Sequence, residues 1–311
     1  MPGSVDRVGN YRIDCVRSRD ATGVVYEARH LVLPRRAIVK VRDEKDVQVA
    51  AVQLLREACI LEALEHPGVV RVYESGLLPD RRPWFAHERV DGATVLDLFA
   101  AGPLDPPHAS ALLRDLAEVL EHAHRRGVVH AGLRPDRIAV TGRTRGFPLC
   151  VVDWSDARTH DTSAPPPPLS FPDYAAPELV SADVIDDRAD VFALGVIGYQ
   201  ALTGTLPFDG IWLATVADGT TQHVPTEVRC PEAPPELTGL VDQMLAWDRW
   251  DRPSSAEAFA ELVSLAADLA PTPPRPANVV RIRKPKWTPA LPLGDGLPDI
   301  VADDVSEDKT K

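Results

Sequence analysis

The chain has 311 residues, a formal net charge of −12 and 44% hydrophobic residues, a composition ordinary for a globular protein that buries a core. The negative charge repels a phosphate backbone, so nucleic acid is not expected as a partner. No apolar run approaches the roughly 20 residues that span a bilayer, and residues 1–10 lack the features of a signal peptide. We therefore expect a cytoplasmic protein without membrane contact. The four cysteines form no C-x-x-C pair, which predicts free thiols and no zinc site.

The predicted secondary structure changes along the chain. Short β-branched segments, which are typical of strands, occupy residues 23–28, 37–41 and 69–73. A helix is predicted near residues 52–64. Helical spacing of apolar residues then dominates residues 109–124, 191–202 and 256–265. A small strand-rich part followed by a larger helical part predicts an α+β fold with two lobes.

Changes in composition divide the chain into four parts. We expect a short N-terminal lead over residues 1–10, a small lobe over residues 11–88 and a larger lobe over residues 89–266. From residue 267 onward the sequence is rich in proline and then acidic. Such a composition has little to pack into a core, and it predicts a mostly disordered tail.

Short motifs follow one another in a fixed order through both lobes. In chain order they are G-V-V-Y from Gly23, A-I-V-K ending at Lys40, R-E-A around Glu57, H-A-G-L-R-P-D-R-I from His130, D-W-S from Asp153, A-P-E ending at Glu178, D-R-A-D-V ending at Val191, and D-R-P around Arg252. This series resembles the eukaryotic-type Ser/Thr protein kinases, including those found in bacteria, over residues 11 to about 266. The resemblance implies the two-lobed protein-kinase-like fold, ATP as the cofactor and a protein as substrate or partner.

The resemblance also implies a nucleotide site whose pattern is altered in this chain. Its lining would comprise Gly23, Val25, Lys40, Glu57, Glu88, Val90 and Asp153, with Asp153 as the one remaining magnesium ligand. Ser18 and Asp20 replace glycines that let the backbone approach phosphates. Ile38 replaces a small alanine above the adenine. ATP binding is therefore left open, and magnesium binding is expected to be weak or absent.

Positions that would carry out phosphoryl transfer depart most from the family. Gly132 replaces the aspartate that accepts the proton of the substrate hydroxyl. Arg137 replaces the asparagine that holds a second magnesium ion, and a cation cannot ligate a cation. Arg134 replaces a lysine, and Phe171 replaces a threonine that would bond the loop. No member of the catalytic set of the loop is intact.

Positions that would support the large lobe are retained. By resemblance, Glu178 and Arg252 form a buried ion pair, and Asp190 ties the loop at His130 to the central helix. His130 and Trp154 would stack in the core together with Leu61. These roles are structural and do not require catalysis.

Three functions are compatible with this pattern. The first is a catalytically impaired pseudokinase that acts as a binding or allosteric module on a protein partner, such as an active kinase or its substrate. The second is an active Ser/Thr kinase in which Asp136 or Asp156 serves as base. The third is another nucleotide-dependent transferase on the kinase fold, with Arg134 and Arg137 holding phosphate.

Overall fold

A computed structural model gives the fold, and it describes residues 6–19, 23–42, 47–159, 172–181, 184–208 and 222–269. Asp20, Phe171 and residues 270–311 of the predicted tail, which was expected over 267–311, lie outside these ranges. Helix residues continue to Asp268, so the first two residues of the expected tail are helical. Within the described residues, no helix is both long enough and apolar enough to cross a bilayer.

The N-terminal lobe is an antiparallel sheet with one helix. The six strands are β1 (Arg7–Val8), β2 (Tyr11–Arg19), β3 (Gly23–His30), β4 (Arg36–Arg42), β5 (Val72–Leu77) and β6 (Pro83–Glu88), in the spatial order β1-β2-β3-β4-β6-β5. Helix α1 (Val47–Ala63) connects β4 to β5. The predicted third strand begins later than expected, because Val69 forms only an isolated parallel bridge to Val151.

Alternation along β3 and β4 separates a core face from a cleft face. Val24, Tyr26, Val39 and Val41 are buried in the core of this lobe, as expected for β-branched and aromatic residues on a pleated sheet. Lys40, between two of them, must point to the opposite face. The register thereby directs its amine away from the core of the sheet.

The C-terminal lobe is built around an almost fully buried helix. The helices are α2 (Val95–Phe99), α3 (Pro106–His124), α4 (Pro177–Ser181), α5 (Arg188–Thr203), α6 (Thr226–Arg229), α7 (Pro235–Met244) and α8 (Ser255–Asp268). Helix α5 is buried over nearly its whole length, which explains its apolar sequence on all sides. It ends at Gly204, whose φ of 72° is the left-handed conformation that glycine adopts readily. The predicted two-lobed α+β fold is confirmed.

Two small sheets hold the loops between α3 and α4. Strand β7 (Val128–Val129) pairs with β10 (Arg158–Thr159), and β8 (Ile138–Val140) pairs with β9 (Leu149–Val151), both antiparallel. A short 3-10 helix, Pro135–Arg137, leads directly into β8. The segments 130–137 and 152–157 are therefore held side by side between the paired strands.

Candidate nucleotide and catalytic-loop site

Lys40 pairs with two carboxylates, one in its own lobe and one in the C-terminal lobe. Its Nζ lies 2.6 Å from Glu57 Oε1 on α1 and 2.6 Å from Asp153 Oδ1, which follows β9. Burial alone would lower the pKa of Lys40, but the charges of Asp153 and Glu57 outweigh burial and raise it. The amine is therefore fully protonated and already paired on both sides. The predicted lysine–glutamate contact is present in the structure.

Arg137 makes the second set of contacts to the same carboxylate. Its side chain is only 10% exposed, and its Nε lies 3.0 Å from Asp153 Oδ2. Its Nη1 donates hydrogen bonds to Asp156 Oδ2 at 2.5 Å and to the carbonyl of Gly132 at 3.1 Å. Burial would lower the pKa of this guanidinium, but Asp153 and Asp156 raise it. Arg137 is thus a buried cation shared between two acids.

Asp153 consequently has a cation at each oxygen, Lys40 at Oδ1 and Arg137 at Oδ2. Ser155 Oγ also lies within hydrogen-bond distance of Oδ2, at 3.3 Å. Burial would raise the pKa of Asp153, but the charges of Lys40 and Arg137 hold it well below the ordinary range. The carboxylate is therefore ionised, and both of its oxygens are engaged within the protein.

These contacts do not fit a magnesium site. Mg²⁺ requires oxygen ligands at about 2.0–2.1 Å in near-octahedral geometry, and Arg137 places a positive charge beside the only carboxylate predicted to bind it. Among the residues that the structure describes, no group of three or more His, Cys, Asp or Glu side chains is arranged to hold a metal ion. The prediction of Asp153 as a metal ligand is untested, and its surroundings argue against it.

Gly132 lies directly against the Arg137–Asp156 pair. A Cβ atom built on Gly132 would lie 2.5 Å from Asp156 Oδ2, 2.8 Å from Arg137 Nη1 and 3.0 Å from Asp156 Cβ. Such distances are well inside van der Waals contact. The space that a side chain at position 132 would use is therefore filled by Asp156, a residue 24 positions further along the chain.

The alternative base Asp136 has different surroundings. It pairs with Arg134 on the same short turn, at 2.8 Å between Arg134 Nε and Asp136 Oδ1, and its side chain is 42% exposed. Of the two carboxylates suggested as substitutes for the missing aspartate, only Asp156 lies against Gly132.

Asp190, on α5, fixes the loop at His130 through hydrogen bonds. Its carboxylate accepts hydrogen bonds from the backbone N–H of His130 at 2.7 Å and of Ala131 at 2.8 Å, and it contacts His124 Nε2 at 2.8 Å. Burial would raise the pKa of Asp190, but its hydrogen bond to His124 and its interactions with His124 and His130 lower it. Ala131 has a φ of 55°, a conformation uncommon for residues other than glycine, and these bonds stabilise it.

The remaining residues predicted to be structural also contact one another. The rings of His130 and Trp154 have centroids 4.6 Å apart. Glu178 and Arg252 form a bidentate pair at 2.7 and 3.0 Å, and Arg252 also donates to the carbonyl of Trp247. The Glu178–Arg252 pair predicted from the sequence is present in the structure, and His130, Trp154, Glu178 and Arg252 are all buried.

Residues predicted to line the nucleotide site are dispersed around the hinge and sheet. Val25 and Val90 are half-buried. Glu88 forms an ion pair with Arg145, a contact that no motif in the sequence indicated. The glycine at position 23 is explained by local packing, because a Cβ atom there would lie 2.2 Å from the backbone oxygen of Val41 on the paired strand. Ile38, expected above the adenine, is buried.

The neighbour of Glu88 at the hinge is also unusual. His87 is 3% exposed, and its Nδ1 lies 2.9 Å from the backbone oxygen of Glu88. Burial lowers the pKa of His87 to about 3, so the ring is neutral and Nδ1 is the donor. The carbonyl of Glu88 therefore already accepts one internal hydrogen bond.

A strand-rich lobe with a paired lysine and glutamate lies against a helical lobe, which it contacts through Lys40 and Asp153. Together with a loop hydrogen-bonded to the central helix, this arrangement defines a protein-kinase-like fold. Comparison with known proteins agrees, because residues 20–263 match the protein kinase domain family. The chain belongs to the protein kinase family, and its relatives include bacterial Ser/Thr protein kinases.

Two relatives and one solved structure illustrate the similarity. Serine/threonine-protein kinase pkn2 of Myxococcus xanthus is 30% identical over 85% of this chain and 33% of that protein. PknJ of Mycobacterium tuberculosis is 30% identical over 86% of this chain and 48% of that protein. The chain thus spans about a third to a half of these curated relatives. The crystal structure of the Mycobacterium tuberculosis PknI kinase domain, 22% identical, superposes with a TM-score of 0.62 over 85% of this chain and 99% of that one.

Proposed function

We propose that the chain is a pseudokinase, a protein-kinase-like module that acts by binding or regulating a protein partner. The partner would be an active protein kinase or a protein that such a kinase phosphorylates. The observation that carries the proposal is the state of position 132, where glycine replaces the general base and its side-chain space is occupied by Asp156.

Loss of the base has a calculable effect on the chemical step. General-base catalysis contributes roughly 10²–10⁴ in rate, which corresponds to about 3–5 kcal/mol of activation free energy. The second metal ligand is also replaced, by Arg137, and this further weakens stabilisation of the transferring phosphoryl group. Together the two replacements favour a module without useful turnover.

Nucleotide is proposed as an optional ligand of this module. Lys40 and Glu57 retain the pairing that positions a lysine for phosphates. However, Lys40 is also paired with Asp153, so a phosphate must compete with a carboxylate for the same amine. We therefore expect weak ATP binding that is not required for folding.

A phosphotransfer assay tests the proposal. The full chain is incubated with radiolabelled ATP, Mg²⁺ or Mn²⁺ and a general acceptor protein, beside a Lys40→Ala variant. We expect label incorporation equal to that of Lys40→Ala, because residual label then reflects contaminating activity. Incorporation that depends on Lys40 and exceeds this background would contradict the proposal.

One observation favours a second candidate, an active Ser/Thr kinase with a relocated base. Asp156 Oδ2 lies 2.5 Å from the Cβ position of residue 132, so a carboxylate is present where one would be needed. The same oxygen already accepts a hydrogen bond from Arg137 Nη1 at 2.5 Å, so it is occupied by another donor and is not free to accept a proton from a substrate hydroxyl. In this case Asp156→Asn would abolish Lys40-dependent incorporation, whereas Asp136→Asn would leave it.

A further inference from the structure

We propose that the guanidinium of Arg137 takes the place of a divalent cation in the cleft, so that this chain excludes Mg²⁺ and Mn²⁺ and binds any nucleotide without metal. The inference rests on the proposed function, in which nucleotide is an optional ligand of the cleft. It goes beyond that function because it names Arg137 as the positive charge that occupies the place of the metal ion.

The oxygen atoms around Arg137 are of the kind that surrounds a bound cation. Its side chain is buried, it bridges Asp153 and Asp156, and it is fixed by a third contact to the carbonyl of Gly132. Carboxylate and carbonyl oxygens are also the ligands that divalent magnesium would use. The same three oxygen groups therefore surround a guanidinium attached to the chain.

A metal ion would have to displace this guanidinium to reach Asp153. The carboxylate offers one oxygen to Lys40 and the other to Arg137, and breaking a buried pair leaves an uncompensated charge. The displaced guanidinium would also remain close to the metal, because Arg137 belongs to a short helix whose neighbour Ile138 is fully buried. Like-charge repulsion at that distance disfavours metal binding.

The position of Asp156 links this cation to the missing aspartate. Asp156 reaches Arg137 by occupying the space beside Gly132. An aspartate at position 132 would collide with the very carboxylate that balances Arg137. The arginine at 137 and the glycine at 132 are therefore two parts of one arrangement, in which Asp156 serves as counterion.

The inference is tested by titrating the full chain with Mn²⁺ in the absence of nucleotide. Electron paramagnetic resonance measures the bound Mn²⁺. We expect no stoichiometric site in the unaltered chain. Arg137→Asn restores a neutral oxygen ligand and frees Asp156 and the Oδ2 atom of Asp153, whose Oδ1 stays paired with Lys40. This variant should bind one Mn²⁺ at least tenfold more tightly than the unaltered chain. Adding Asp153→Asn to that variant should abolish the new site.

Two matched variants separate the role of Arg137 from a general change in charge. Arg137→Lys keeps a tethered cation and should still exclude Mn²⁺. Arg134→Asn removes a neighbouring cation that pairs with Asp136, and it should create no site. Arg137→Gln, also neutral, repeats the test if Arg137→Asn fails to fold, as judged by circular dichroism.

The outcomes decide the inference independently of catalysis. A stoichiometric Mn²⁺ site in the unaltered chain that is lost in Asp153→Asn would overturn it, and so would folded neutral variants that bind no Mn²⁺. Nucleotide binding measured by calorimetry adds a second readout, since affinity should be unchanged by Mg²⁺ in the unaltered chain and should rise with Mg²⁺ in Arg137→Asn. Phosphotransfer that needs no added metal would contradict the proposed function alone, whereas Mn²⁺ binding at Asp153 without phosphotransfer would overturn this inference alone.

Discussion

Placing a side chain at position 132 should destabilise the protein, although the backbone there is able to accept one. Gly132 is not among the glycines with positive φ, so Gly132→Ala introduces no backbone strain. The obstacle is space, because the new Cβ would lie 2.5 Å from Asp156 Oδ2 and 3.0 Å from Asp156 Cβ. Either the new methyl group or the Arg137–Asp156 pair must move.

The expected loss of stability in Gly132→Ala follows from adding a methyl group to a close-packed site. Insertion of a methyl group into such a site typically costs about 1–3 kcal/mol of unfolding free energy. For a domain of this size, each kcal/mol lowers the melting temperature by about 2–4 °C, so we expect a decrease of about 2–12 °C. Gly132→Asp should cost more, because it also places two carboxylates side by side.

A double-mutant cycle of Gly132→Ala and Asp156→Ala measures the effect, with the stability of each variant determined by thermal and urea unfolding. In an Asp156→Ala background the cost of Gly132→Ala should be smaller, because the carboxylate oxygen at 2.5 Å is gone, but it should not vanish, because Arg137 Nη1 at 2.8 Å and the Cβ of residue 156 at 3.0 Å remain. Gly239→Ala is a matched control, since Gly239 lies within α7 with nothing within 4 Å of its Cβ position. That control should stabilise by about 0.5–1 kcal/mol. Equal losses from Gly132→Ala in both backgrounds, or no loss in either, would refute the reasoning.

Two further predictions concern stability. Glu178→Ala should lower the free energy of unfolding by about 3–5 kcal/mol, because Arg252 would stay buried without its partner. The control Asp80→Ala, which breaks an exposed ion pair, should change the urea midpoint little. Similar effects from both variants would contradict this prediction. Burial lowers the pKa of His66 to about 4 and that of His87 to about 3, below the ordinary 6.5. Their contribution to stability is therefore complete above pH 6.5 and declines as pH falls towards 4 and then 3. His66→Gln should flatten the decline between pH 6.5 and 4 in urea unfolding, and an unchanged slope would exclude His66 as a cause.

The sequence predicted the contacts between residues that belong to its ordered motifs. Lys40 with Glu57 and Glu178 with Arg252 could be paired in advance because each belongs to a motif of fixed order. The contacts of Arg137 could not, although its identity already argued against a metal. Its partner Asp156 lies 19 positions away on a separate loop, and no spacing rule connects a 3-10 turn to a segment held beside it by two short sheets.

The altered positions of the cleft depend on one another through Asp156. A lost aspartate alone would leave a cavity beside Gly132, and an arginine alone at position 137 would be a buried cation with one partner. Asp156 resolves both, because it fills the space and supplies the second negative charge. Restoring the aspartate by itself would therefore compete with Asp156 for the same space and free Arg137 from one counterion. Placing the residues typical of the family in this cleft would require changes at Gly132, Arg137 and Asp156 together, as expected of a site whose charges are balanced within the protein.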